Sequence, residues 1–157
     1  MFQLRFDLDG DVQLSRYLDI MAENLSDFRP LFEDIADDFR STMSGIFSGE
    51  GAFEGNSKWA PLSPAYKEWK AKKFPGKPIL QAKGNLMKSL TSIGGNHVSH
   101  VSSDSLEIGT KDPKAMFHQK GTRKMPQRKL IELTQPQKRR WTRLAHKYIF
   151  ERGGGTE

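Results

Sequence analysis

"FRPLFEDIADDFRSTMSGIF", residues 28–47, places Phe28, Leu31, Phe32, Ile35, Ala36, Phe39, Met43, Ile46 and Phe47 at steps of three and four. That spacing lines one side of a 3.6-residue helix with large apolar side chains, so the stretch predicts a long amphipathic helix against which the rest must pack. Asp27 stands where an N-cap is needed, and Pro30 falls in the first turn. The acids Glu33, Asp34, Asp37 and Asp38 sit largely off the stripe and read as a solvated face rather than a metal or catalytic cluster.

Outward toward the N-terminus, Leu14, Tyr17, Leu18, Met21, Ala22 and Leu25 give a second helix over about 12–25, and Phe2, Leu4, Phe6 and Leu8 alternate like a half-buried strand. Toward the C-terminus, "SGEGAFEGNSK", residues 48–58, has three Gly in eleven residues and no period, which predicts a mobile loop. Ser63-Pro64 opens a short helix that ends at Pro75, and "KGNLMKSL" gives a further helical turn. "NHVSHV" and "SLEIGT" flank "SSD" as an antiparallel hairpin over 97–110, and "KLIEL", 129–133, is an apolar run of strand type. Thr134-Gln135-Pro136-Gln137 is a capping-box arrangement that opens a last helix, with Trp141, Leu144, Ala145 and Tyr148 on one face. The expected architecture is α+β: a small, mostly antiparallel sheet (the Phe2 strand, the hairpin and 129–133) packed against the long helix, plus a C-terminal helix. A single domain over 1–157 suits the length, with mobile loops near 48–58 and 119–128 and a disordered tail at 153–157.

The net charge of +6 conceals a division. Residues 1–57 hold 4 Lys/Arg against 12 Asp/Glu, or −8, while residues 58–157 hold 21 against 7, or +14. Such polarity suits either a basic surface for nucleic acid or complementary faces that attract each other between copies. Its densest point is "FHQKGTRKMPQRK", 117–129, with five Lys or Arg, and too irregular for helix or strand. The last helix adds Lys138, Arg139, Arg140 and Arg143, candidate contacts to DNA or a partner.

Several chemistries lack their residues. The chain has no Cys, which removes disulfides, thiolate zinc and a thiol nucleophile. There is no phosphate-binding Gly-rich loop ending in Lys and Ser or Thr, no Gly-x-Ser-x-Gly elbow and no His-Glu-x-x-His. His97 and His100 are three apart in an expected strand, so they face opposite sides and share no metal. A lone His118 beside Gln119 reads as a local hydrogen-bonding residue rather than a general base. No enzyme activity, cofactor or metal is expected. The acidic opening lacks a signal peptide's basic start and unbroken apolar run, and no stretch reaches the roughly 20 apolar residues of a membrane span, so an intracellular soluble protein with no membrane partner is expected. Non-specific DNA binding is the open alternative: the clusters at 120–129 and 138–152 could neutralise phosphates beside Trp69, Trp141 and Tyr148, though no base-reading motif accompanies them.

Read as a string of anchors, the middle of the chain resembles the phage virion morphogenesis family, the tail-completion and neck proteins of Mu-like and other long-tailed phages. In that family a Trp-x-Pro-Leu segment, a Gly-x-Leu-x-x-Ser step, a His-Gln-x-Gly turn and a Pro-x-Arg step follow one another. Here they match Trp59, Pro61 and Leu62; Gly84, Leu86 and Ser89; His118, Gln119 and Gly121; and Pro126 and Arg128. The resemblance implies a non-enzymatic structural virion protein at the head–tail junction, forming a ring of six copies. Its implied partners are the tail tube protein, a head-closure or adaptor protein, and phage DNA passing through the lumen without sequence specificity. On this reading His118, Gln119, Gly121, Arg123, Lys124, Pro126 and Arg128 form an exposed interface loop.

Overall fold

The computed structural model describes residues 12–151, with side chains from Ser15 onward. The expected Phe2 strand and the 153–157 tail lie outside these residues. Helices α1 (Val12–Ser26) and α2 (Arg29–Ser48) come first, then α3 (Pro64–Lys73) and α4 (Asn85–Thr91). A hairpin of β1 (His97–Val101) and β2 (Leu106–Thr110) follows, then α5 (Pro113–Lys120) and α6 (Gln135–Phe150). The fold is α+β, with α2 at its centre.

The apolar stripe of α2 does what its period predicts: Phe39, Met43, Ile46 and Phe47 form the core with Trp59, Leu86, Leu90 and Leu130. Trp59 meets Phe47 edge-on, ring centroids 5.4 Å apart, the geometry favoured by the two ring quadrupoles. Asp27 Oδ1 accepts the Arg29 backbone N–H at 3.0 Å, so it serves the helix start even though Phe28 occupies the cap position. Phe28 N donates to Ser103 O at 2.8 Å, tying that end of α2 to the hairpin turn.

The hairpin is antiparallel, with His97 opposite Thr110, Ser99 opposite Ile108 and Val101 opposite Leu106. It is held to α4 through Ser89, whose Oγ accepts from Thr110 Oγ1 at 2.7 Å and whose carbonyl accepts from His97 Nδ1 at 3.0 Å. Helix α6 packs on α2 and α1; its N-cap Thr134 accepts the Gln137 N–H at 3.1 Å. The returning half of the expected capping box does not form, because both side-chain polar atoms of the buried Gln137 lack a partner.

Three expectations change. Beyond Ser48, which ends α2, the 48–58 stretch has no helix or strand, but its backbone is tied down: Gly51 N donates to Ile46 O at 2.8 Å and Trp59 N to Glu50 O at 2.7 Å. Its Phe53 lies so close over Gly45 that a Cβ there would meet the ring at 2.3 Å, so only glycine fits that turn of α2. Residues 129–133 are not a strand. Their backbone groups bond to side chains instead, as described below, and the sheet among the described residues is the hairpin alone. Residues 113–120, read partly as irregular chain, form α5, because Asp112 caps it by accepting Lys114 N–H at 3.0 Å and Pro113 supplies the preset φ of a first turn.

Candidate functional site

The four anchor segments, scattered over some seventy residues, meet at one place. His118 and Gln119 lie on α5, and the helix stops at Gly121, whose φ of +73° no L side chain adopts easily. A Cβ at Gly121 would also lie 2.9 Å from Gln127 N. From there the chain makes a tight turn: Thr122 N donates to Met125 O at 2.8 Å and Met125 N returns to Thr122 O at 3.2 Å. Arg123 and Lys124 are exposed at the tip and Pro126 on the exit. The returning strand of chain is held to α5 by Arg128 N donating to His118 O at 2.8 Å and by Gln127 Nε2 donating to Gln119 O at 2.9 Å.

Gln119 then replaces a neighbouring strand. Its Oε1 accepts from Leu130 N at 2.8 Å and Ile131 N at 3.0 Å, and its Nε2 donates to Ile131 O at 2.8 Å. One amide side chain thus satisfies three backbone groups that a sheet would otherwise have to pair, which is why the apolar run at 129–133 stays out of the hairpin.

Arg128 is the larger correction. Expected on an exposed loop, it is 3% exposed. Its Nε donates to Ala60 O and its Nη2 to Pro61 O, both at 2.8 Å. Trp59 Nε1 reaches back to Lys129 O, also at 2.8 Å. The Trp-x-Pro-Leu and Pro-x-Arg anchors are therefore two sides of one clamp. Burial pushes the Arg128 guanidinium pKa down from its ordinary value, yet with so basic a group the cation persists. His118 departs from expectation too: its Nδ1 is buried without a hydrogen-bond partner. Burial first, then the neighbouring Arg128 charge, lowers its pKa, so the imidazole is neutral at physiological pH.

Above this clamp runs an open groove of about 860 Å³ between α3 and the 122–126 turn. Its apolar wall includes Leu62, Phe74 and Met125, and its mouth is the stacked pair Tyr66 and Trp69, with ring centroids 5.3 Å apart and 45% and 46% exposed. Lys70, missed in the sequence because it looks like any other residue of a Lys-rich helix, is 5% exposed. Its ammonium donates to Lys77 O at 2.7 Å and to Pro78 O, closing the end of α3 onto the following turn.

The basic helix α6 divides. Lys138, Arg139 and Arg143 are exposed. Arg140 points inward instead, its Nε 2.6 Å from Asp38 Oδ1 and its Nη1 2.5 Å from Glu54 Oε1, with Thr42 Oγ1 3.1 Å from Nη2. The two carboxylates raise the Arg140 pKa. Asp38 also accepts from Trp141 Nε1 at 2.8 Å, and Glu54 from Thr134 Oγ1 at 2.5 Å, so Asp38 belongs to a network rather than to the solvated face assigned to it. Among the described residues no group of three or more His, Asp or Glu could hold a metal ion, and no helix is long and apolar enough to cross a membrane.

A family model, that of the phage virion morphogenesis family, matches residues 9–149. No curated protein and no solved structure matches the chain.

Proposed function

The chain belongs to the phage virion morphogenesis family, which implies a structural or assembly role in the phage particle, and we propose that it is a tail-completion or neck protein that closes into a ring at the head–tail junction. The observation that carries the reading is the extent of the match, residues 9–149, which takes in α2, the anchor clamp and the basic terminal helix as one unit. A ring of six copies, seated between the tail tube protein and a head-closure or adaptor protein, uses the polarity of the chain. Its exposed carboxylates on α2 and its exposed cations at 123–124 and on α6 are complementary patches, as a head-to-tail contact between identical subunits requires. Cations left over on the inner side of such a ring, with Lys138, Arg139 and Arg143 the candidates, would face DNA without reading its sequence. Light scattering at high protein concentration, with micrographs of particles made in the presence and absence of the protein, tests this. Rings on finished tails, and separate filled heads and tails when it is missing, are expected; isolated monomers in both measurements would refute it.

Non-specific DNA binding as the primary role is the second reading, drawing on the same exposed cations. It requires duplex affinity at physiological salt that falls steeply as salt rises, with a log-log slope that tracks the number of phosphates neutralised.

A further inference from the structure

We propose that the groove between α3 and the 122–126 turn is a socket for the carboxylate face of α2 from a second copy of this chain. The proposal rests on the ring reading and names the contact by which the ring closes.

The first argument is charge of a single sign. Lys73, Lys83, Lys114 and Lys124 line the groove as exposed side chains, and Lys70 and Arg128 line it as buried ones, while among the described residues no Asp or Glu contributes to the lining. The buried pair bonds to carbonyl oxygens, of Lys77, Pro78, Ala60 and Pro61. Carbonyls satisfy the N–H groups but carry no net charge, so the Arg128 charge remains uncancelled in a partly desolvated site, while Glu50 offsets part of that of Lys70. Removing charge from water is costly unless an opposite charge arrives with it. An incoming carboxylate supplies that charge.

The second argument is that the chain holds the complement where it cannot serve its own groove. Glu33, Asp34 and Asp37 are exposed on α2, the last also paired with Arg40 of the same helix. At 1.5 Å per residue, Asp34 lies about 20 Å along the helix axis from Phe47, which packs in the core with Leu86 of the groove floor. Intramolecular pairing is therefore out of reach, and a neighbouring subunit can supply the match. Glu33 and Asp37 are one helical turn apart and so project on one side, as a ridge entering a groove must.

The third argument concerns the mouth. Tyr66 and Trp69 are large, stacked and half-exposed, the residue types that anchor protein interfaces once water is excluded around them. A single-stranded nucleic acid would also stack on aromatics, but the π surface of Trp69 is already claimed by Tyr66 and by Lys73, whose Nζ lies 5.4 Å from the ring centroid. Two of the six cations are also tied to carbonyls and turned inward, whereas phosphate contacts need cations free to reach the strand.

Carbodiimide treatment of the assembled full-length protein joins a lysine amine to a carboxylate it already touches, with loss of water, and mass spectrometry identifies the pairs. Links between subunits from Lys73, Lys83 or Lys124 to Glu33, Asp34 or Asp37 are expected. Assembled rings whose inter-subunit links all lie elsewhere overturn the socket while leaving the ring intact; failure of the wild-type protein to assemble on tails overturns the ring reading itself. Charge reversal provides an independent check. Lys73→Glu/Lys124→Glu and Glu33→Lys/Asp34→Lys should each weaken self-association at least tenfold, and all four changes on one chain should restore it. No loss from the groove pair, or no restoration in the fourfold variant, counts against the proposal. So does a groove pair that assembles normally but loses binding to single-stranded DNA, which would mark the groove as a nucleic-acid surface.

Discussion

Arg128 and Arg140 both turn inward from basic stretches, yet Arg128 meets the carbonyls of Ala60 and Pro61 whereas Arg140 sits between the carboxylates of Asp38 and Glu54. The two environments do different work. Around Arg140 the charge is cancelled locally, so the network fastens α6 to α2 and to the 49–63 connection and has little left to offer a partner. Around Arg128 the geometry is satisfied but the charge is not, which leaves a rigid, positively charged wall beneath an open groove. A cation's count in the sequence therefore says less about its role than the charge of what accepts its hydrogen bonds.

Removing each arginine sharpens that contrast. Arg128→Ala leaves the partly buried Ala60 carbonyl without its partner, while water can replace the bond to the exposed Pro61, for a loss of about 1–3 kcal/mol in urea unfolding. Arg128→Lys should recover little, because one ammonium does not reproduce the two-pronged fork. An Arg128→Ala midpoint equal to wild type would mean that the anchors do not depend on the clamp. Gly121→Ala attacks the turn that aims the clamp, combining a φ of +73° with a Cβ 2.9 Å from Gln127 N; strain of this kind costs about 1–3 kcal/mol. Equal stability of the two proteins would show that the turn relaxes freely.

Arg140→Ala should cost less, about 1–2 kcal/mol, since its side chain is 28% exposed and solvent screens the Asp38 and Glu54 charges left behind. Its distinguishing mark is rescue. Adding Glu54→Gln to Arg140→Ala should recover part of the loss by removing the carboxylate repulsion, and a double-mutant cycle with no coupling would contradict the network. No neutralising change can rescue Arg128→Ala in this way, because among the described residues no carboxylate pairs with it.

The smallest effects are those of pH. His118 has its folded pKa below the ordinary value, chiefly from burial, so the unfolded chain binds more protons in that window. Stability is full above about pH 6.5 and declines as pH falls toward the folded pKa. The urea midpoint should fall between pH 7 and pH 5, and His118→Gln should flatten that slope; an unchanged slope would place the titration elsewhere. Asp27 acts in the same direction but in a more acid window, held at about 2 by the Arg29 guanidinium and backbone N–H. Its contribution is present above about pH 4 and disappears only as pH drops through 2, so its carboxyl signal should titrate near pH 2.

What the sequence makes legible is what is encoded locally. The α2 stripe, the hairpin and the Thr134 cap each follow from spacing or a cap within a few residues. The strand expected at 129–133 fails because its partner is the side chain of Gln119, and an apolar run cannot announce that. Helix α5 was partly visible in Asp112-Pro113, a cap-and-start pair whose signal the basic residues after it obscure. Arg128 finds its acceptors 67 and 68 residues away, and Arg140 its carboxylates 86 and 102 residues away. No local rule separates such residues from exposed neighbours such as Lys124 and Arg139. The resemblance did carry the anchors, but not their division of labour: Trp59, Gln119 and Arg128 brace the fold, while Arg123, Lys124 and the groove mouth remain open to a partner.

A cryo-electron microscopy reconstruction of the head–tail junction in intact virions tests the central claim most directly. The account predicts a closed ring of copies of this chain at the head-proximal end of the tail, with the groove between α3 and the 122–126 turn of each subunit filled by α2 of its neighbour. A junction in which this chain is absent, or present only as isolated subunits with the groove empty, would contradict it.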